Sequence, residues 1–455
     1  MIVYLFFVLQ SLLAVMLAPV SFDRPFLVTE MVVFLFVGIL FLQHKIKMNG
    51  LLCFDAFFIP TFFLINYAHA VFVYPDDAFL AAFLYATNTD IIPYAVSVAQ
   101  VGIAFYMLAS IFFEKQYEEK AKPVRFETPK MLVNRIAYLC VVLSAGVFVF
   151  VIILRRADDH FHIYPRLMSM ILTLISMSWL YQAQLLGEEE RGLRPFFYRN
   201  KLNLLSTTIF TISMLFLGGR SEVLFMVFMI ALIVNTYYFK IKLKFLLPAV
   251  LVGGLLMGIL MITRVSDFSL VQVSPMESLK YGWQTLVEAP NVLWFLLTDF
   301  LVNAKTLYDG IDYVHVYGPL YGVSYIQYLF VFIPGGGSFF TRVFTGLDMN
   351  EVRTGNILSD NVDAAFGLGT NLIGDLYMNF SFIGVPVLMF LLGFVVTRLE
   401  HPSSKFRLFA YMALFANCIY LVRADIFSWL TFFVFFLIFD WLLRIHIVYD
   451  EDITD

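Results

Sequence analysis

Residues 91–113 read IIPYAVSVAQVGIAFYMLASIFF and contain no charged side chain. A helix needs roughly 20 mostly apolar residues to cross a bilayer, so this stretch is long enough to span one. The whole chain has the same character, since 61% of its 455 residues are hydrophobic and only 14% are charged. Soluble domains average about 25% charged residues. The composition therefore excludes a soluble enzyme, a disordered chain and a nucleic-acid-binding domain, and it predicts an integral membrane protein.

Other apolar runs of similar length follow one another along the chain and predict an all-α polytopic membrane protein with about 12 transmembrane helices. No basic residue precedes the first run, so we expect it to be an uncleaved span rather than a signal peptide. The runs are too long and too apolar for the strands of an outer-membrane barrel. The predicted spans are 2–20, 26–43, 51–73, 91–113, 131–154, 163–186, 202–217, 221–239, 244–262, 381–398, 406–421 and 426–446.

The basic residues orient these spans. With both termini in the cytoplasm, most of the lysines and arginines fall in inner loops, as the positive-inside rule requires. The inner basic residues are mainly lysines, whereas those left on the outer face are mainly arginines. Arginine presents a planar fork that suits phosphate and carboxylate. Chance and local ion pairing are one explanation; the sharper one is an outer site for an anionic, phosphorylated ligand.

The predicted spans divide the chain into three parts. Residues 1–262 hold helices 1–9, residues 263–380 form one long extracytoplasmic loop, and residues 381–455 hold helices 10–12 and a cytoplasmic tail. Loops of such length are usually functional. Apolar stretches at 291–302 and 325–333 predict interfacial or re-entrant helices within this loop. Three glycines at 335–337 lack the ending of a phosphate loop and predict a flexible turn.

The long loop is also rich in aromatic residues. We expect an aromatic belt at the level of the lipid headgroups, and a platform that stacks on sugar rings is the alternative. The residues concerned are Tyr281, Trp283, Tyr308, Tyr313, Tyr317, Tyr321, Tyr325 and Tyr328.

Two short outer turns carry a single arginine each. The sequence LGGRSE at 217–222 places Arg220 at the start of a span, and LVRAD at 421–425 places Arg423 beside Asp425. An arginine in so short a turn lies at the membrane surface, where charges are usually functional, and a local ion pair is the alternative for each. Two such turns on one face favour the functional interpretation for both. Arg264, at the outer end of the ninth span, joins this group.

A third feature enters span ten from the long loop. It reads GLGTNLIGDLYMNFSFIG from 367 to 384 and places one acid, Asp375, among apolar residues. Such a carboxyl group suits either a general base or a group that orients an arginine.

Metal and cysteine chemistry have little support in the sequence. The stretch DDHFH at 158–162 contains metal-ligand types without companion ligands, so we predict no metal site. The three cysteines, Cys53, Cys140 and Cys418, lie in apolar runs and are predicted to be buried.

In their order along the chain, these motifs resemble the Wzy-type oligosaccharide repeat-unit polymerases of bacterial surface polysaccharide assembly, including the enterobacterial common antigen polymerases. The resemblance covers residues of about 200–445, and the first half matches only in hydropathy. Many relatives have Glu where Asp375 stands. The shared pieces are GGR at 218–220, Arg264, FIP at 332–334, LIGDLYMNF at 372–380 and VRAD at 422–425.

The resemblance implies a metal-independent membrane glycosyltransferase of GT-C-like architecture, in the bacterial plasma membrane with its site facing outward and with no cofactor. The growing glycan on undecaprenyl pyrophosphate would be the donor, and a lipid-linked repeat unit would be the acceptor. Membrane lipids, a chain-length regulator and a flippase are the implied partners. An O-antigen ligase, which transfers to lipid A core, and a polysaccharide flippase or other transporter are the alternatives.

The resemblance also implies roles for individual residues. Asp375 is the first candidate for the base that accepts the proton of the acceptor hydroxyl, and Asp425 is the second. Preorganised arginines would stabilise the charge that develops on the pyrophosphate. The predicted catalytic residues are Asp375, Arg220 and Arg423. The predicted substrate-binding residues are Arg264, Arg353, Arg342, Asp425 and Tyr377, of which Arg353 and Arg342 are assigned to acceptor binding or closure.

Overall fold

The computed structural model describes residues 1–76, 84, 87–114, 123–154, 164–186, 192–217, 219–246, 248, 253, 280, 283, 284, 287, 288, 291–330, 333, 335–362 and 368–451. Within these residues every regular element is a helix, which confirms the predicted all-α class. In chain order the α-helices are α1 (Ile2–Met16), α2 (Arg24–Asn49), α3 (Phe54–Phe63), α4 (Ile92–Glu114), α5 (Lys130–Leu154), α6 (Tyr164–Gln184), α7 (Leu193–Arg199), α8 (Lys201–Leu217), α9 (Arg220–Ile233), α10 (Val292–Leu301), α11 (Asn303–Tyr317), α12 (Ile326–Leu329), α13 (Gly336–Thr345), α14 (Met349–Val352), α15 (Thr354–Asn361), α16 (Leu372–Leu399), α17 (Lys405–Ala416) and α18 (Leu430–Glu451).

Six helices of the described residues are long and apolar enough to cross a membrane. They overlap six of the predicted spans, so the expectation of a helical membrane protein is confirmed at this level. The count of twelve spans stays a prediction, because α1 is apolar but shorter and most of span 244–262 lies outside the described residues. The six are Arg24–Asn49, Phe54–Val73, Thr89–Glu114, Lys130–Val151, Ser221–Tyr238 and Leu372–Leu399.

The helices are grouped into two compact units, each drawn from separate parts of the chain. The first unit contains Met1–Ala121, Thr298–Pro402 and Asn417–Leu430, and the second contains the remaining segments, Lys122–Leu297, Ser403–Ala416 and Thr431–Asp455. The predicted division at residues 262 and 380 follows membrane topology rather than contacts, and it stays a prediction.

In the second unit, polar side chains on different helices pair with one another. The Tyr181 hydroxyl donates to Asp440 over 2.7 Å, and the Lys405 ammonium group contacts the same carboxylate. The Ser178 hydroxyl donates to Asn203 over 2.7 Å, which joins α6 to α8. All three cysteines of the chain are buried and free, as predicted.

In the first unit, α4 packs closely against α16. A Cβ atom at Gly393 would lie 2.4 Å from the backbone oxygen of Tyr106, so only glycine fits there. Small residues allow such close approach between membrane helices, where dispersion contacts replace the hydrophobic effect as the driving force. This contact fixes the position of α16, whose N-terminal part carries Asp375.

Helix α16 is broken at its ninth and tenth residues. Phe380 (φ −136°, ψ 17°) and Ser381 (φ 56°, ψ −161°) have non-helical backbones. The predicted span 381–398 begins at this break. The part of α16 before the break is helical as well. The Asn371 side chain caps its first turn, because it accepts hydrogen bonds from the N–H groups of Ile373 and Gly374.

A buried lysine joins four chain segments at the other end of these helices. The Nζ atom of Lys45 lies 3.2 Å from Glu114 Oε1, 3.2 Å from Glu400 Oε2 and 3.6 Å from Asp55 Oδ2. Asn49 donates to Glu400 over 2.7 Å, and His44 lies 2.5 Å from Glu114. The predicted topology places this cluster on the cytoplasmic side.

The cluster contains three carboxyl groups around one ammonium group. Burial raises the pKa of Glu400 to about 7, against the opposing effect of Lys45, so a proton on Glu400 relieves the excess negative charge. The cluster ties the ends of α2, α3 and α4 to the end of α16.

Replacing Lys45 with methionine should lower the free energy of unfolding by about 3–5 kcal/mol, because the buried carboxylates lose their counter-charge. Lys47→Met is the matched control, since Lys47 is exposed on the same helix. Substitutions at exposed positions usually change the free energy of unfolding by no more than about 0.5 kcal/mol. Titration with SDS in mixed micelles measures both variants. Equal losses for the two would contradict this role of Lys45.

Candidate functional site

Two aspartates of the first unit are held by two tyrosines of one short segment. Asp375 lies in the first turn of α16, and Asp425 follows the short 3-10 helix Tyr420–Arg423. Tyr325 and Tyr328 are three residues apart at the start of α12, and this spacing places them on one helical face. The Phe427 ring lies against both tyrosines, with ring centroids 4.9 Å and 6.3 Å away.

Asp375 is fully buried, and both of its oxygens accept hydrogen bonds. The Tyr325 hydroxyl donates to Oδ2 over 2.6 Å, and the Thr354 hydroxyl donates to Oδ1 over 2.9 Å. The Asn379 amide reaches Oδ1 at 3.4 Å and is itself held by the Ser324 hydroxyl at 2.8 Å. This carboxyl group is therefore fixed in position by its neighbours.

Asp425 has one satisfied and one open oxygen. Its Oδ2 accepts a 2.6 Å hydrogen bond from Tyr328. Its Oδ1 is buried and has no well-formed hydrogen bond among the described residues, although the backbone N–H of Phe427 is close enough to lower the pKa of this carboxyl group. Buried polar atoms are paired as a rule, and an exception in a native fold calls for an explanation. The residue as a whole is partly exposed, which places this oxygen close to the protein surface.

Burial raises the pKa of Asp425, while the Tyr328 hydrogen bond and the positive charge of Arg353 lower it in part. Burial also raises the pKa of Tyr325 and Tyr328 well above the usual range, and the neighbouring aspartates add to the effect. Both phenols therefore stay protonated at neutral pH and keep donating to the carboxylates.

Arg353 lies on the Asp425 side of this cluster. Its Nε donates to Gln327 Oε1 over 3.0 Å, which fixes the guanidinium group beside the two tyrosines. Arg353 immediately precedes Thr354, so one turn of chain supplies both a cation for Asp425 and a hydroxyl for Asp375.

The remaining predicted arginines are distributed more widely. Arg423 lies two residues before Asp425, with its guanidinium carbon 5.7 Å from the centre of the Tyr420 ring. Arg342 is exposed and lies 3.9 Å from Asp348. Arg220 begins α9 in the second unit, and Arg264 lies outside the described residues, as do residues 158–162.

Tyr377 points away from the aspartate pair. Residues two apart on a helix lie on nearly opposite faces, so Tyr377 and Asp375 do not face the same site. The Tyr377 hydroxyl lies 3.2 Å from the Tyr94 hydroxyl and 3.4 Å from His315 Nε2, and it forms a separate polar group with them.

Sequence reasoning missed the partners that hold the two acids, Tyr325, Tyr328 and Thr354, and the Gln327 side chain that holds Arg353. The tyrosines were expected in an aromatic belt, yet Tyr325 and Tyr308 are buried inside the protein. The three-residue spacing of Tyr325 and Tyr328 was the available signal. Within the described residues, no group of His, Cys, Asp and Glu has an arrangement that could hold a metal ion.

Comparison with protein-family models, curated proteins and solved structures finds no match for this chain.

Tyr325→Phe should destabilise the protein by about 1–3 kcal/mol, because it leaves a buried carboxylate oxygen of Asp375 without its donor. Tyr321→Phe is the matched control, since Tyr321 is 79% exposed in the same segment. SDS titration compares the two. A Tyr325→Phe variant as stable as the control would show that this hydrogen bond does not hold Asp375.

Proposed function

We propose that the chain is an oligosaccharide repeat-unit polymerase of the Wzy type, a glycosyltransferase in the bacterial plasma membrane with about 12 spans and a GT-C-like architecture. Its site faces outward, and its substrates are oligosaccharides on undecaprenyl pyrophosphate. The unpaired Oδ1 of Asp425, with Arg353 near enough to lower the pKa of the carboxyl group and Arg423 two residues away in the sequence, is the observation that carries the proposal. A chain-length regulator and a flippase are its proposed partners.

The geometry favours Asp425 over Asp375 as the base. A general base needs a free oxygen within hydrogen-bond reach of the proton that it accepts. Asp375 has both oxygens occupied by Tyr325, Thr354 and Asn379, whereas Asp425 keeps one oxygen open. We therefore assign the proton transfer to Asp425 and give Asp375 a positioning role.

The proposed reaction is a single displacement with inversion. A hydroxyl oxygen of the acceptor sugar bonds to the anomeric carbon of the donor glycan, and the bond from that carbon to pyrophosphate breaks. The bonding electrons leave on the pyrophosphate oxygen, and the hydroxyl proton passes to Asp425 Oδ1. No covalent intermediate with the enzyme is needed.

Arginines are suited to the leaving group, because charge builds on the pyrophosphate as the bond breaks. Arg423 and Arg353 supply positive charge in the first unit. Arg220 and Arg264 remain proposed pyrophosphate ligands from the LGGRSE turn and from the end of span nine. Arg342, which is exposed and pairs loosely with Asp348, is the weakest candidate.

Two alternatives differ in what they predict. A ligase has the same donor chemistry and differs in its acceptor, lipid A core. A transporter is favoured by one observation, the break in α16 at Phe380 and Ser381, because transporters bind substrates at broken helices. Repeat units that accumulate on the cytoplasmic side of a deletion strain would identify the transporter.

Asp425→Asn should slow elongation by about 10²–10⁴-fold, the usual contribution of a general base. The assay uses purified protein in lipid nanodiscs with lipid-linked repeat units from the source organism, and a gel resolves the product ladder. Asp360→Asn, at an exposed aspartate, is the matched control and should keep the ladder.

Asp375→Asn separates the two roles. It should lower stability while the folded fraction keeps most of its turnover. Full activity in Asp425→Asn would overturn the assignment, and inactivity of a fully stable Asp375→Asn variant would return the base role to Asp375.

The activity should also depend on pH in a defined direction. Asp425 must be deprotonated to act, and burial raises its pKa, so the acidic limb of kcat/KM should lie above the ordinary aspartate value of about 3.9.

Arg353→Gln should move this limb to higher pH, because the positive charge of Arg353 lowers the pKa of Asp425. Arg24→Gln, at an outer arginine paired with Asp76, should leave the limb unchanged. A limb that Arg353→Gln does not move would contradict the role of Asp425.

A further inference from the structure

The glycine run at 335–337 forms the start of a helix. Gly335 is the turn residue, with φ +75°, and Gly336 and Gly337 lie in the first turn of α13. The helix ends at Gly346, which also has a positive φ of 75°. The predicted flexible turn is thus limited to Gly335.

One side of α13 packs on the protein. A Cβ atom at Gly337 would lie 3.0 Å from the backbone oxygen of Gln327, and Thr341, one turn later, is fully buried. The Phe340 ring stacks on Phe330 with centroids 3.8 Å apart. These contacts hold α13 against α12.

A second side of α13 is apolar and exposed. Phe339 and Val343 are 62% and 60% exposed, and their four-residue spacing places them on one helical face. Phe344 is 63% exposed but lies about 100° further round the helix, where its ring stacks on Phe330 and Phe340. Leu347 beyond the end of the helix and Leu329 at the end of α12 are exposed as well. A contiguous apolar surface of this kind marks an interaction site.

The side of α13 next to this apolar face is exposed and polar. Ser338 and Arg342 lie there, and the Arg342 side chain is 74% exposed. A helix with one apolar face and a basic polar edge suits the boundary between lipid headgroups and acyl chains.

The chain segment that leads into α13 contacts α16 close to the break at Phe380 and Ser381. The N–H of Leu320 donates to the backbone oxygen of Met378 over 2.8 Å, and the Tyr325 ring lies 6.0 Å from Phe380. After the break, α16 exposes a stripe of apolar residues, Ile383, Val387 and Leu391, as expected of a helix that faces lipid. The apolar face of α13 therefore belongs to a segment anchored where the lipid-facing stripe of α16 begins.

From these contacts we propose that α13 lies in the plane of the outer leaflet, with Phe339 and Val343 among the acyl chains and Arg342 in the phosphate layer. The same stretch of chain carries Tyr325, Tyr328, Arg353 and Thr354. The bilayer surface thereby supports the side chains that hold Asp375 and Asp425. The lipid contact stands independently of the reaction that the site performs.

Single cysteines labelled with the fluorophore NBD test this contact in the full chain. The native cysteines are buried, so the parent protein serves as the unlabelled blank. Phe339→Cys and Val343→Cys probe the apolar face, and Ser338→Cys is the matched position on the polar side of the same helix. The proteins are reconstituted in phosphatidylcholine nanodiscs, with or without lipids that carry a spin label near the top of the acyl chain.

We expect blue-shifted emission at Phe339→Cys and Val343→Cys and a loss of emission when spin-labelled lipid is present. Ser338→Cys should instead respond to iodide in the buffer. If all three positions respond to iodide alone, the lipid contact is refuted. If the apolar positions are shielded from both quenchers, a protein covers this face instead, and the proposal is also refuted.

A charged variant provides a second test. Phe339→Glu combined with Val343→Glu should release α13 from the lipid, so that a label at Leu347→Cys loses its quenching by spin-labelled lipid. Ser338→Glu is the matched control and should retain it. Unchanged quenching in the doubly charged variant would overturn the proposal.

Discussion

Hydrocarbon offers no hydrogen-bond partners, so the protein itself has to pair each polar atom that these helices carry into a bilayer. The first unit does this with groups from distant parts of the chain. Asn371 donates to Asn66 over 3.0 Å, and Tyr67 donates to Gln100 over 2.9 Å. Lys45 neutralises carboxylates from three other segments. These pairs specify which helices are neighbours, because apolar surfaces alone discriminate poorly among partners.

The same constraint distinguishes the two aspartates of the site. Asp375 follows the rule, with donors on both oxygens, and Asp425 departs from it at one oxygen. The departure occurs at a partly exposed residue with an arginine nearby. Tyr328 fixes the position of Asp425, and the second oxygen of this acid is left without a hydrogen bond, as a proton acceptor requires. This difference between Asp425 and Asp375 supports the proposed division of roles.

The sequence predicted the helices far better than the site. The run at 91–113 became a helix from Ile92 to Glu114 because its apolar length alone requires one. The predicted span 381–398 missed the part of α16 before the break, because the helix starts at the cap formed by Asn371. The break comes later, at Phe380. Asp375 was identified as an acid among apolar residues, and Asp425 as the neighbour of Arg423 in a short turn. Their tyrosine partners come from other segments, and no local pattern shows which hydroxyl reaches which carboxylate.

The division of the first unit among three segments has a consequence for biosynthesis. Asn417–Leu430, which contains Asp425, is the last of these segments to leave the ribosome, and residues 122–297 are made before the middle segment appears. Until that segment is made, the Tyr328 hydroxyl lacks the carboxylate that accepts its hydrogen bond. The aspartate pair therefore cannot form before residues 417–430 have joined the two earlier segments of the first unit.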